Sequence, residues 1–177
     1  MDKERYTTYL QKYNYDCGAG AAGIVLLNLG NSRVNHDTLM ESLRVNRNGT
    51  WPNMIESYFK RRGYEVTSKE NSTISDLRRE LNNGRLPIVL YQGSGTKREM
   101  ERYKSGHYSV VAGVGTKYIY LLDPGIDEDA GEGVGWQVVE ISDFEERWRD
   151  RWKYRGKYAY SKRWMASIGL KGKTKQR

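Results

Sequence analysis

Cys17 is the only thiol in a chain of 177 residues, and two imidazoles, His36 and His107, are all the histidine that could serve it as a base. The cysteine opens the run CGAGAAGIVLLNLG, and Asp16 before it can cap a helix that starts at Cys17. A thiol placed there faces unpaired backbone N–H groups and the positive end of the helix dipole, which favour thiolate over thiol and predict an activated Cys17. The residues that follow, Gly18, Ala19, Gly20, Ala21, Ala22 and Gly23, sacrifice helix propensity, each Gly costing about 1 kcal/mol against Ala. Close approach by another part of the protein would justify that cost.

Thiolate catalysis also needs a base, an acceptor that orients the base, and donors for a developing oxyanion. His36 stands beside Asn35 and Asp37 in a polar turn and reads as a solvated or capping residue. His107 opens the segment HYSVVAGV directly after Gly106, where its ring can stand at a sheet edge facing the helix. Asp123 ends the next strand-like segment, ahead of Pro124 and Gly125. Two antiparallel strands joined at Gly115 would set His107 and Asp123 side by side, although Asp-Pro-Gly alone is ordinary turn chemistry. Gln11 could donate its amide to the oxyanion together with the Cys17 backbone N–H.

The elements that must hold these residues fall into two regimes. Helices are expected from Cys17 to Gly30, over about 36–44, from a Thr50 cap through Pro52 to Gly63, and over 73–84 ending at Gly84. After Gly84 the apolar period shortens, and 86–92, 106–114, 117–123 and 136–142 read as strands. Ser142 and Glu145 form a capping-box pattern ahead of DFEERW. A last strand over about 158–169 is expected to pair onto the edge of the sheet, with a disordered end beyond. Helices first and strands later predict an α+β fold with an antiparallel sheet. The expected division is a domain over 1–154 and a basic, aromatic extension over 155–177.

Composition narrows the classes. With 37% hydrophobic and 12% aromatic residues, the chain suits a soluble globular domain. One cysteine allows no internal disulfide, the polar start MDKERYTTYL is unlike a signal peptide, and no apolar run spans a bilayer. These features predict a cytoplasmic protein without a membrane span. Residues 149–177 hold 11 Lys/Arg and one acid, so the +8 net charge is a property of the tail. There Trp152, Tyr154, Tyr158, Tyr160 and Trp164 interleave with cations, a pattern that fits single-stranded nucleic acid, although a final strand is the preferred reading and nucleic acid is not the favoured partner. No cofactor is expected, and Cys17, His107 and Asp123 make a poor zinc site.

Gln11, Asp16-Cys17-Gly18, the His107 strand, Asp123-Pro124, the passage LRRELNNGRLPIVLY and DFEERW together resemble the papain-like peptidase domains that remove double-glycine leader peptides from bacteriocins. The resemblance covers about 8–148. It implies a helical N-terminal lobe carrying Cys17, a C-terminal antiparallel sheet carrying His107 and Asp123, a cleft between them, and Gln11 in the oxyanion hole. It also implies a cysteine peptidase that acts on a peptide or protein substrate through a Cys17 acyl-enzyme with His107 as base, after small residues such as Gly. Because no transporter domains follow, a free-standing member is expected. Gly20 and Ala22 stand where the family more often has Ala and Leu, and the loop before His107 is long. Two alternatives stay open: acyl transfer to an amine, and a non-catalytic module whose basic tail contacts nucleic acid or an acidic partner.

Overall fold

The computed structural model describes residues 2–103, 105–128, 131–154 and 157–172, apart from the side chains of 97 and 152–154. In chain order, the helices α1 (Cys17–Asn28), α2 (His36–Ser42) and α3 (Pro52–Arg61) precede strand β1 (Glu65–Lys69), helix α4 (Ile74–Asn82), strand β2 (Leu86–Gln92) and the short helix α5 (Lys97–Glu101). Strands β3 (Gly106–Val114), β4 (Tyr118–Leu122) and β5 (Trp136–Glu140) follow, then helix α6 (Ile141–Arg147) and strands β6 (Arg149–Tyr154), β7 (Lys157–Lys162) and β8 (Met165–Gly169). The fold is α+β, built on an antiparallel sheet in the order β1-β8-β2-β3-β4-β5, the class that the resemblance to papain-like domains implies.

The continuous apolar run LPIVLYQ of β2 is buried throughout because both faces of the sheet are covered. On one face Ile88, Leu90, Val110 and Ala166 pack with Ile24 of α1, Leu39 of α2 and Phe59 of α3. On the other, Val89, Val111, Leu121 and Met165 pack with Leu77 of α4, Phe144 of α6 and Trp148. The helices are therefore not confined to one lobe. α4 starts with a reciprocal capping box between Thr73 and Asp76, which fixes where the chain turns back toward β2.

The glycines of α1 answer to close packing from three sides. A Cβ on Gly18 would lie 2.2 Å from Thr50 Cγ2, one on Gly20 would lie 2.4 Å from Pro124 Cβ, and one on Gly23 would lie 2.5 Å from the Tyr9 ring. The first ten residues of this helix are buried, so it has no polar face to display. Glycine there lets the loop before α3, the Asp123-Pro124 turn and the N-terminal segment all press against one helix.

Several expectations are corrected. Thr50 does not cap α3, because its hydroxyl donates to Leu43 O at 2.6 Å and the cap position falls on Trp51. α6 begins at Ile141 with Glu140 in the cap position, so the Ser142 and Glu145 pattern lies inside the helix. β1 and α5 were not expected, although Thr96 and Glu99 form a capping box ahead of α5. The final segment is not one edge strand. Arg163 takes a left-handed φ of 53°, Trp164 turns into the core, and the chain splits into β7, which pairs with β6 in a separate hairpin, and β8. β8 then inserts between β1 and β2, leaving β1 at the edge. Of the end expected to be disordered beyond about 169, residues 170–172 are described and form a turn after β8, and 173–177 lie outside the described residues. Of the interleaved aromatics, Trp164 is buried edge-on to Tyr108, Tyr158 and Tyr160 are exposed, and the side chains of Trp152 and Tyr154 lie outside the described residues.

Candidate active site

Cys17 is the first residue of α1 and is nearly buried. Asp16 initiates the helix with its backbone carbonyl, which accepts from the N–H groups of Ala19 and Gly20, while its side chain turns the other way. The fully buried carboxylate accepts from the backbone N–H groups of Lys12 at 3.3 Å and Tyr13 at 3.2 Å, and from His36 Nε2 at 2.7 Å. His36 is therefore neither solvated nor a cap. It is 7% exposed, lies over the Tyr9 ring, and supplies the partner that a buried carboxylate requires. The cap of α2 is Asn35, whose side chain accepts from Thr38 N.

His107 and Asp123 are brought together by the β3–β4 hairpin, as the spacing predicts. Val110 stands opposite Leu122, a bulge near Ala112 shifts the register, and the outer ends of the two strands coincide. His107 Nε2 donates to Asp123 Oδ1 at 2.6 Å. Asp123 is 3% exposed, and its Oδ1 also accepts from Gly125 N at 2.8 Å, so the turn role and the partner role belong to the same carboxylate. Burial pushes the His107 imidazolium down, but hydrogen bonds to Asp123 and Cys17, with their charges, outweigh it and lift the group to about 10. Burial pushes Asp123 up, and the His107 contact overcomes that to leave the carboxyl below its usual range.

Tyr91 completes the arrangement from behind and was not foreseen. Its hydroxyl donates to Asp123 Oδ2 at 3.1 Å and lies within hydrogen-bond distance of Gln137 Oε1 at 2.9 Å and Ser109 Oγ at 3.2 Å. Burial and the neighbouring Asp123 charge push the Tyr91 phenol well above its ordinary value, so it remains a donor. The available signal was a Tyr-Gln pair closing the apolar run of β2, since buried polar side chains need partners.

Gln11 is tied to the same turn, its backbone N–H donating to Pro124 O at 2.9 Å. Its side-chain Nε2 donates to Tyr13 O at 2.8 Å, and because a carbonyl only accepts, that contact settles which end of the amide is nitrogen. The second Nε2 hydrogen remains available, as does the Cys17 N–H by its place in the first helical turn. A cleft of about 790 Å³ is lined by Cys17, Tyr15, Trp51, Tyr103, Tyr108 and Asp150 among others. Among the described residues, no group of three His, Cys, Asp or Glu side chains could hold a metal ion, and no helix is long and apolar enough to cross a membrane.

The Peptidase C39 family model matches residues 5–151. Among solved structures, the peptidase domain of Streptococcus ComA, a bi-functional ABC transporter involved in quorum sensing, is 20% identical over 94% of this chain and 99% of that one, with a TM-score of 0.67. A double glycine motif protease from an AMS/PCAT transporter, solved with its leader peptide, is 14% identical over 93% of this chain and 91% of that one, with a TM-score of 0.61. A C39-like protein of Bacillus anthracis is 11% identical over 92% of this chain and 94% of that one, with a TM-score of 0.68. No curated protein sequence matches the chain.

Proposed function

The chain belongs to the peptidase C39 family and is a cysteine peptidase, and from that premise we propose that Cys17 is its nucleophile, His107 its acid and base, Asp123 the acceptor that orients His107, and Gln11 an oxyanion donor. The observation that carries this reading is the 2.6 Å hydrogen bond between His107 Nε2 and Asp123 Oδ1, set beside a Cys17 at the start of α1 that is close enough to raise the His107 imidazolium. The Cys17 thiolate attacks the carbonyl carbon of a peptide bond. The oxygen, now negative, takes hydrogen bonds from Gln11 Nε2 and the Cys17 N–H. Collapse breaks the C–N bond while imidazolium His107 gives its proton to the leaving amine, leaving a thioester on Cys17. Neutral His107 then takes a proton from water, the hydroxide attacks the thioester, and the C–S bond breaks to release the carboxylic acid product and restore the thiolate–imidazolium pair. With Nε2 held by Asp123, the ring presents Nδ1 to these transfers.

The substrate is a peptide or protein, cleaved after small residues such as Gly. A neighbour solved with a leader peptide supports a peptide substrate, and Thr50, Trp51 and Tyr108 around the cleft beside Cys17 support a small residue at the scissile bond. A nucleophile that works only as a reduced thiol fits a cytoplasmic site.

An electrophilic thiol probe followed by mass spectrometry tests the nucleophile without a known substrate. Cys17 should be labelled in the native protein, and labelling should slow in His107→Ala. Gln11→Ala should retain labelling while peptide turnover falls by about 10²–10³-fold. Labelling of native Cys17 no faster than in the urea-unfolded chain refutes the assignment.

A further inference from the structure

Asp150 faces the cleft that Cys17 lines, and none of the proposed chemistry uses it. It is 9% exposed. Its Oδ1 accepts a 2.8 Å hydrogen bond from Nε2 of Gln92, a fully buried amide held in orientation by Ser105 N, which donates to Oε1 at 3.0 Å. The other oxygen lies against Gly106, where a Cβ would come within 2.4 Å of Oδ2. Glycine at that position thus makes room for a carboxylate one residue ahead of His107. The Arg151 guanidinium, which could have neutralised it, is stacked over Tyr103 at 5.0 Å and Tyr158 at 4.4 Å and donates to Arg102 O at 3.0 Å. Among the described residues, Asp150 has no salt bridge, only hydrogen bonds from Gln92 and the Arg151 backbone and the charge of Arg151 at longer range.

A buried carboxylate is ordinarily paired with a cation. Burial raises the Asp150 carboxyl to about 6 against those hydrogen bonds, and it is still ionised at neutral pH. Arg47 and Arg151 also line the cleft, but among the described residues neither makes an ion pair with Asp150, which leaves the substrate to supply its cation.

We propose that Asp150 is a specificity-determining residue that receives the ammonium or guanidinium of a lysine or arginine side chain of the peptide, a few residues from the scissile bond. The proposal rests on Cys17 being the nucleophile and deepens that reading by naming a feature of the substrate. Trp51 and Tyr108 line the same cleft and suit the aliphatic stem and the cationic head of such a side chain.

The test uses peptidyl acyloxymethyl ketones ending in Gly-Gly, with lysine, norleucine or glutamate at one of the three preceding positions. The second-order rate of Cys17 labelling is read by intact mass. At one position the lysine probe should react at least about tenfold faster than its norleucine counterpart, with glutamate slowest, and in Asp150→Asn the lysine-to-norleucine ratio should collapse to near one. Equal rates for lysine and norleucine at every position overturn the proposal while leaving Cys17 as the nucleophile. A lysine preference that survives Asp150→Asn, including one in which both rates fall together, also overturns it, because that is the signature of a structural aspartate. Should Asp150→Asn fail to fold, the wild-type ratio decides. Absence of labelling by every probe removes the nucleophile and both readings with it.

Discussion

Replacing Asp150 by Asn should make the unliganded protein more stable at pH 8 and leave its stability nearly unchanged at pH 4. The folded protein holds the Asp150 proton up to about 6, against an ordinary 3.8, because burial opposes the charge. The folded state therefore binds this proton more tightly than the unfolded chain. The stability it contributes is complete below about pH 4 and is lost as the pH rises through 6. About two pH units at about 1.4 kcal/mol each give a penalty of about 3 kcal/mol at pH 8. Asn carries no charge and keeps an Oδ1 acceptor for Gln92, so the variant avoids the penalty without losing the hydrogen bond. The difference in unfolding free energy between variant and wild type should grow from near zero to about 3 kcal/mol across this range, or roughly 6–12 °C in Tm for a chain of this size. Urea denaturation of both proteins at half-unit steps from pH 4 to 8 measures it, and groups common to the two proteins cancel in the difference. A difference that is flat with pH, or a wild type more stable at pH 8, would refute the assignment of Asp150 as a buried, unneutralised carboxylate.

Other consequences can be measured separately. Asp123→Asn should fold and retain a reactive Cys17 while turnover falls by about 10²–10⁴-fold, since the imidazole loses the acceptor that fixes its tautomer; loss of the folded state would instead mark Asp123 as a turn residue only. Gly20→Ala should cost about 1–3 kcal/mol in chemical denaturation and depress turnover, because the new methyl group meets Pro124 and pushes α1 away from the turn that holds Asp123; a neutral effect would contradict the 2.4 Å approach. His36→Ala strands the buried Asp16 carboxylate and should destabilise by about 3–5 kcal/mol, whereas a solvated His36 would give a change within experimental error. Nitrogen NMR should find His107 doubly protonated at pH 8, with a midpoint near 10 that falls in Cys17→Ser, and the stability held in the His107 pair should be complete below about pH 6.5 and lost as the pH rises through 10; a midpoint below 7 in the wild type would refute the pairing.

Periodicity carried by neighbours in the chain proved more dependable than the capping patterns at Thr50 and Ser142. The 86–92 and 106–114 segments coincide with β2 and β3 because strand periodicity is local, and the small residues after Cys17 do mark close approach, although the groups that approach, Thr50, Pro124 and Tyr9, are set by the fold. The His107 and Asp123 meeting was legible for the same reason: one hairpin joins them, so counting back from the turn places their ends together. β1 escaped notice because EVTSK lies at a sheet edge, where exposure removes the apolar alternation that identifies strands.

What tertiary structure alone decided is which distant groups share a site. Asp150 reads in the chain as the single acid of a basic tail, and His36 as one more polar residue in a turn. Folding buries the first against Gly106 and Gln92, and the second against Asp16. Likewise the apolar pattern near the C-terminus announces a strand but not its berth between β1 and β2, whose residues lie far back in the chain. The sequence by itself determined the thiol at the start of its helix and the meeting of His107 with Asp123, since these follow from local periodicity and short spacings. Burial, side-chain pairing and strand order are properties of the whole packed chain, and they set Asp16 against His36 and Asp150 beside the cleft.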